Sequence, residues 1–232
     1  MTPPASIIHN CDCMTFMRTL PDNAFDLAIC DPPYGIGEDG LKNHSRGCIA
    51  KSREYTPKDW DKSAPDKAVF DEIIRVSRNQ IIFGYNYYTE YLGSTNYLII
   101  WDKMSNNNQV FMYSKAEIAY TSLRVPCNIV SIPWDGYRMG KETGTKKIHP
   151  HQKPVELYAW ILNNYAKAGE TIFDSHVGSG SSRIAAYKLG FDFVGCEIDK
   201  TYFDAQNDRF NAECRGEIKV NGRTFIQTSL FD

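Results

Sequence analysis

The sequence predicts an α/β fold built on a mostly parallel central sheet, and three observations carry that expectation. Short apolar runs such as Leu27-Ala28-Ile29-Cys30, Ile81-Ile82-Phe83 and Ile172-Phe173 are bounded by turn residues, as strands buried on both faces are. Between such runs lie segments of helical spacing, for example Val69, Phe70, Ile73, Ile74 and Val76. Two strands run directly into polar turns, Asp31-Pro32-Pro33-Tyr34-Gly35 and Asp174-Ser175-His176-Val177-Gly178-Ser179-Gly180, and open α/β sheets keep their ligand crevice at such carboxyl ends. With 232 residues, 42% hydrophobic and 23% charged, the chain suits one generous globular domain, or one domain with a small lobe.

The elements follow in order. Ser6-Ile7-Ile8-His9 predicts a short strand, and residues 14–20 a short helix stopped by Pro21-Asp22-Asn23. The strand ending at Cys30 must stop at Pro32 and Pro33, which cannot donate to a sheet ladder. A long loop covers 35–61, a length that in compact domains is functional or disordered. A helix is expected over 67–77, a strand over 80–84, a helix around 87–92, and strands over 97–101 and 118–122. After a second loop over 126–149, Pro154 opens a helix to about residue 166 with Leu157, Trp160, Ile161 and Tyr165 inward. The strand over 171–174 feeds a glycine-bearing turn and a helix over 183–189, and Phe193-Val194-Gly195-Cys196 is a further strand. Asn221-Gly222 between Ile218-Lys219-Val220 and Thr224-Phe225-Ile226 reads as a hairpin.

No apolar run approaches the ~20 residues that span a bilayer, and residues 1–5 lack the layout of a secretion signal. The seven cysteines are odd in number and scattered, which points to packed thiols in a reducing cytoplasm. Cys11-Asp12-Cys13 has no second pair at ligand spacing, so no metal site is expected. The formal net charge of -2 hides an asymmetry. Lys42, Arg46, Lys51, Arg53 and Lys58 face Glu54 alone, and Arg138, Lys141, Lys146, Lys147 and Lys153 face Glu142 alone, so each segment is +4. Two basic segments on an acidic body suit either a phosphate-tracking surface or two solvated loops.

The two polar turns carry the chemistry. Asp31 and the Pro32 carbonyl offer two acceptors to an amino group with two hydrogens, and Tyr34 offers a face to a flat base. Gly178 and Gly180 let backbone approach a ligand at a helix start, and Glu197, 17 residues on, ends the next strand where it can accept from ribose hydroxyls. A nicotinamide dinucleotide fits less well, because Arg183 stands where the third glycine belongs.

In order and spacing these motifs resemble the permuted, so-called beta class of amino-methylating DNA methyltransferases of phage and bacterial type, over nearly the whole chain. The matching segments are Asn10-Cys11-Asp12-Cys13, Asp31-Pro32-Pro33-Tyr34, Ile81-Ile82-Phe83-Gly84-Tyr85-Asn86-Tyr87 with Tyr85 in place of a glycine, Trp101-Asp102-Lys103, Ala116-Glu117-Ile118-Ala119, His149-Pro150-His151-Gln152-Lys153-Pro154 and Gly178-Ser179-Gly180 with Glu197. The resemblance implies a Rossmann-like fold with one antiparallel strand, permuted motif order, and S-adenosyl-L-methionine as cofactor. It implies Asp31, Pro32, Pro33 and Tyr34 as the catalytic set. For the cofactor it implies Asp12, at its adenine, and His151 and Lys153, at its methionine end. Asp174, His176, Gly178, Ser179, Gly180, Glu197 and Asp199 complete that set. The family has Asp-Pro-Phe where this chain has Asp174-Ser175-His176, so an imidazole replaces the aromatic contact.

The implied activity is methyl transfer to adenine N6 of a base flipped from duplex DNA, with Lys42, Arg46, Lys51, Arg53, Arg138, Lys141, Lys146 and Lys147 on the phosphates. Cytosine N4 is the alternative. An RNA or protein-glutamine methyltransferase, a dehydrogenase and a non-catalytic DNA-binding module are the remaining rivals. Pro126-Cys127 resembles the nucleophile dipeptide of C5-cytosine enzymes, but a packed thiol is the expectation there. The short variable segments suggest a short target or a homodimer, and any restriction activity belongs to another protein. Gln227-Thr228-Ser229-Leu230-Phe231 resembles a sliding-clamp peptide, with folding back onto the core as the competing reading.

Overall fold

The computed structural model describes residues 2–37, 63–104, 114–134, 138–145, 147–220 and 223–226. The strands are β1 (Ser6–His9), β2 (Phe25–Cys30), β3 (Ser77–Phe83), β4 (Leu98–Asp102), β5 (Ala116–Thr121), β6 (Asn128–Ser131), β7 (Thr171–Asp174), β8 (Asp192–Cys196), β9 (Glu217–Val220) and β10 (Arg223–Ile226). The helices are α1 (Cys13–Met17), α2 (Lys67–Val76), α3 (Thr89–Leu92), α4 (Val155–Tyr165), α5 (Ser181–Lys188) and α6 (Lys200–Arg215), with a 3₁₀ turn at Tyr85–Tyr87.

Eight strands form one sheet in the order β1-β8-β7-β2-β3-β5-β4-β6. All its pairings are parallel except those of β5, which runs antiparallel to both β3 and β4. The expected single antiparallel strand is therefore β5. Strand order reverses between β2 and β7, so their carboxyl ends, Asp31 and Asp174, open a crevice at the switch point of the sheet.

The alternation of β2 and β3 builds a core on each face. Leu27, Ile29, Ile81 and Phe83 pack with Leu157, Ile161 and Ala185 of α4 and α5. Ala28, Cys30 and Ile82 pack with Met17 of α1 and Phe70, Ile73 and Val76 of α2. Period-two burial on both faces is why these strands are apolar throughout. Among the described residues no helix is long and apolar enough to cross a membrane, and no His/Cys/Asp/Glu group could hold a metal ion.

Several expectations need correction. The 126–149 segment is not simply a loop, because it contributes the edge strand β6 and a 3₁₀ turn at Gly140–Glu142. Helix α6 was not foreseen, because its sequence is polar and its burial rests on only three residues, Tyr202, Gln206 and Phe210. Its N-terminus is nonetheless capped by Asp199, which accepts from the backbone N–H of Thr201 and Tyr202. On α4 the buried residues are Leu157, Tyr158, Ile161 and Leu162, while Trp160 and Tyr165 are half-buried. Cys127 is exposed and not packed. The β9–β10 hairpin forms with Val220 opposite Arg223, as the Asn-Gly pair predicts. Lys42, Arg46, Lys51, Arg53, Lys146 and the 227–231 peptide lie outside the described residues.

Candidate active site

The crevice at the switch point is lined by Asp31, Pro32, Pro33, His151, Lys153, His176, Gly178, Ser179, Glu197 and Asp199, and encloses about 720 Å³ of space partly open to solvent. Ten of the fourteen residues expected at the catalytic and cofactor sites thus line one cleft. Sequence reasoning left out Tyr158, Val177, Ser181, Ile198 and Tyr202, which also line it, and did not single out His149. Tyr202 sits on the unforeseen α6. Ile198 is 65% exposed beside the acid, and that pairing was a readable sign of an apolar wall for a ring.

Asp12, Tyr34, Asp174 and Gly180 are placed differently. The Asp12 carboxylate caps α1, accepting from the backbone N–H and hydroxyl of Thr15. Asp174 is buried beneath the loop, where Oδ2 accepts from the Ser182 hydroxyl at 2.6 Å and Oδ1 from the His176 N–H at 2.9 Å. Burial pushes its carboxyl up to about 7. Gly180 takes φ +77° just before α5, and a Cβ there would meet Gln206 of α6 at 3.1 Å. It shapes the turn without lining the cleft.

The loop between β7 and α5 is braced by its neighbours. Glu197 Oε2 accepts from the Gly178 N–H and Oε1 from the Asp199 N–H, both at 2.8 Å. Gly195 is obligatory on packing grounds, since a Cβ would stand 2.4 Å from Val177 and 2.9 Å from the Asp174 carbonyl. Arg183, standing at the missing third glycine, binds Ser6, Gln206 and Asn207 and lies 3.7 Å from the Phe210 ring centre, locking β1, α5 and α6 together. His176 lies between Ser175 and Cys13, with Nδ1 2.8 Å from the hydroxyl and Nε2 3.9 Å from the thiol. Burial lowers it to about 4, so at pH 7 it is an uncharged aromatic wall.

At the other end of the cleft Asp31 stands in a network of charges. Lys153, 4% exposed, bonds Asp31 Oδ2 and lies 3.1 Å from Glu117 Oε2 and 3.2 Å from the Tyr34 hydroxyl. Tyr34 donates to Asp31 Oδ1 at 2.7 Å, and Lys103 meets Glu117 Oε1 at 3.1 Å. Burial alone would raise Glu117, but the Lys153 and Lys103 ammonium groups outweigh it and hold it at about 2. Burial alone would lower Lys153, and Asp31 and Glu117 reverse that, so its ammonium is held charged. Neither Glu117 nor this role of Lys153 was foreseen, because residues far apart in sequence meet there.

Tyr34 is half-buried and already occupied. Its ring stacks on Tyr87 at 5.0 Å and 18°, and a Cβ on Gly84 would stand 2.4 Å from its Cε1. Gly84, at φ +78°, thus supplies both the turn after β3 and the room for Tyr34. Tyr88 is buried with its hydroxyl 3.0 Å from the Pro32 carbonyl and 2.5 Å from that of Pro33. One hydroxyl gives one proton, and the shorter bond leaves the Pro32 oxygen with acceptor capacity.

The second basic segment is less available to phosphates than its charge implied. Lys153 is internal, Lys141 pairs with Glu156 at 2.9 Å, and Lys147 lies over Trp134 at 4.7 Å. Glu142 ties the segment down by accepting from the Val155 N–H and from Arg209 of α6. Arg138 is exposed.

Asp31 and Pro32 thus line one cleft with Glu197 and the Gly178-Ser179 turn. A profile describing DNA methylases matches residues 25–208. The chain belongs to the DNA methylase family of N6/N4 type. Among its relatives is the type II methyltransferase M.HpaI of Haemophilus parainfluenzae, 22% identical over 239 residues, covering 89% of this chain and 74% of that protein. The fold is shared with M1.HpyAVI, solved as a complex with S-adenosylmethionine (TM-score 0.54, 19% identity, 88% of this chain and 98% of that one). It is also shared with the PvuII DNA methyltransferase, described as cytosine-N4-specific (TM-score 0.57, 11% identity, 88% and 86%). As an N6/N4 DNA methylase the chain uses S-adenosyl-L-methionine. The donor set fits that cofactor. Glu197 can accept from ribose hydroxyls, Ile198 is an apolar wall, and His176 places no positive charge against a sulfonium.

Proposed function

We propose that this DNA methylase transfers the methyl group to adenine N6 of a base flipped from duplex DNA. The observation that carries the reading is Asp31, the first residue of its motif, held at the floor of the cleft with both oxygens oriented. In the family an aspartate there goes mostly with adenine and a serine with cytosine N4. The PvuII enzyme's fold shows that the architecture itself serves cytosine, so that target is the alternative.

The bound cofactor supplies a methyl group on a sulfonium. Asp31 and the Pro32 carbonyl accept the two amine hydrogens, which frees the nitrogen lone pair from the ring and favours the transition state over the ground state. Glu197 and the Gly178-Ser179-Gly180 loop hold the donor, so much of the acceleration comes from positioning. Incubation with tritiated S-adenosylmethionine and duplex DNA, then nucleoside analysis, tests the reading. Label in N6-methyladenine is expected, and label in N4-methylcytosine establishes the alternative. The reading places the protein in the cytoplasm on double-stranded DNA, with Lys42, Arg46, Lys51, Arg53 and Arg138 toward phosphates. The homodimer and the clamp peptide ending at Phe231 rest on sequence alone.

Two further results are expected. Glu197→Ala should raise the cofactor dissociation constant by about tenfold to a hundredfold, since a charge-assisted bond is worth ~1.5–3 kcal/mol. Calorimetry without DNA measures this. The stacked pair Tyr34–Tyr87 suggests that the flipped base is received against those rings, Tyr87 being 45% exposed. Tyr87→Ala should raise KM for duplex DNA by about tenfold to a hundredfold, with Tyr87→Phe close to wild type, given ~1–3 kcal/mol per stacked base. An unchanged KM in the alanine variant would remove Tyr87 from the base pocket.

A further inference from the structure

We infer that Glu117 is a positioning residue for the reaction: it carries the charge of Lys153 so that the Asp31 carboxylate keeps its negative charge for the substrate amine. The inference rests on the amine-methylation reading above and deepens it.

Asp31 has a partner on each oxygen, Tyr34 on Oδ1 and Lys153 on Oδ2. Were Lys153 its only ionic neighbour, the two would form a neutral pair. The carboxylate would then be a poor acceptor and a poor counter-charge. Glu117 prevents this. Its Oε2 lies 3.1 Å from the Lys153 nitrogen and 3.4 Å from the Tyr34 hydroxyl, so both groups that bond Asp31 are also faced by Glu117. The innermost three charges, Asp31, Lys153 and Glu117, sum to one negative. Lys103, 3.1 Å from the other Glu117 oxygen, brings the four charges to neutrality.

Sharing Lys153 between two carboxylates suits the step. The amine nitrogen forms the N–CH₃ bond with its lone pair while the S–CH₃ bonding electrons return to sulfur. Nitrogen thereby becomes cationic and then gives one N–H proton to the Asp31 carboxylate. Once Asp31 is neutral, Lys153 would be a buried cation without a partner unless Glu117 remained ionised. Glu117, held low by the two lysines, does remain so.

The test compares Glu117→Gln and Glu117→Asp with wild type on genomic duplex DNA at saturating S-adenosylmethionine, alongside calorimetric cofactor affinity without DNA. Glu117→Gln should lower kcat by about tenfold to a hundredfold, a charge-stabilisation effect, while the cofactor dissociation constant stays within about twofold. Glu117→Asp keeps the charge on a shorter arm and should recover part of the loss. If the glutamine variant fails to fold, the aspartate variant carries the test, with kcat below wild type and cofactor affinity unchanged. A kcat unaltered in the folded variants, or cofactor affinity falling in step with kcat, overturns the inference. A wild-type enzyme that labels no DNA amine overturns the underlying reading instead.

Discussion

Asp31→Ala is expected to abolish methylation while the folded protein still binds S-adenosylmethionine. The alanine removes the carboxylate that accepts from the amine, and loss of one such electrostatic contact costs about 10²–10³-fold in kcat. The structure adds a reason for the fold to survive. Lys153 loses one partner but keeps Glu117 at 3.1 Å, so no buried cation is stranded. Asp31→Asn is the sharper variant. It preserves shape and one acceptor oxygen, but its amide NH₂ must face either Lys153 or Tyr34, both of which donate to this side chain. Filter-bound tritium on duplex DNA gives activity, and calorimetry gives cofactor affinity. More than a few per cent of wild-type rate in the alanine variant would show that another acceptor activates the amine.

The fold was legible where local and tertiary demands coincide. β2 announces itself because Leu27, Ala28, Ile29 and Cys30 are all buried, and the prolines beyond it fix its end. The β7 turn was legible because Gly178 and Gly180 both take positive φ. Helix α6 was not, since only three of its sixteen residues are buried and its polar face masks the period. Strand β6 was not either. It is four residues at the sheet edge with only Val130 buried, so it lacks the apolar run of an inner strand. At the site, the motifs named most of the cleft wall but not the groups acting on them. Nothing in the string Ala116-Glu117-Ile118 says that its carboxylate meets Lys153, because the pairing of β5 with β3 creates that contact. The stacking of Tyr87 on Tyr34 was hidden likewise, its partner arriving from a different strand.

Lys153→Met should have the largest effect on stability, and its dependence on pH identifies the cause. Methionine fills much of the lysine's volume over the Phe83 ring, so packing loss is small. What remains is Glu117 with Lys103 at 3.1 Å, and Asp31 with only the neutral Tyr34 hydroxyl, at 2.7 Å, among the partners described above. Breaking a buried ion pair from one side costs about 3–5 kcal/mol, equivalent at ~2–4 °C per kcal/mol to a fall in melting temperature of roughly 10 °C. The sign of the pH dependence is opposite in the two proteins. In wild type Glu117 is held at about 2, below its ordinary value, so its contribution is complete above the ordinary carboxylate range and is lost as pH falls toward 2. In the variant Glu117 keeps the burial that disfavours its charge but loses Lys153, the stronger of the two ammonium groups that offset it. The penalty for that charge is full at neutral pH and shrinks as pH falls and the carboxyl takes up its proton. Urea midpoints at pH 8, 6 and 5 should therefore show the gap between the proteins narrowing steadily. A gap constant with pH would assign the loss to packing around Phe83 and leave the charge network without a part in stability.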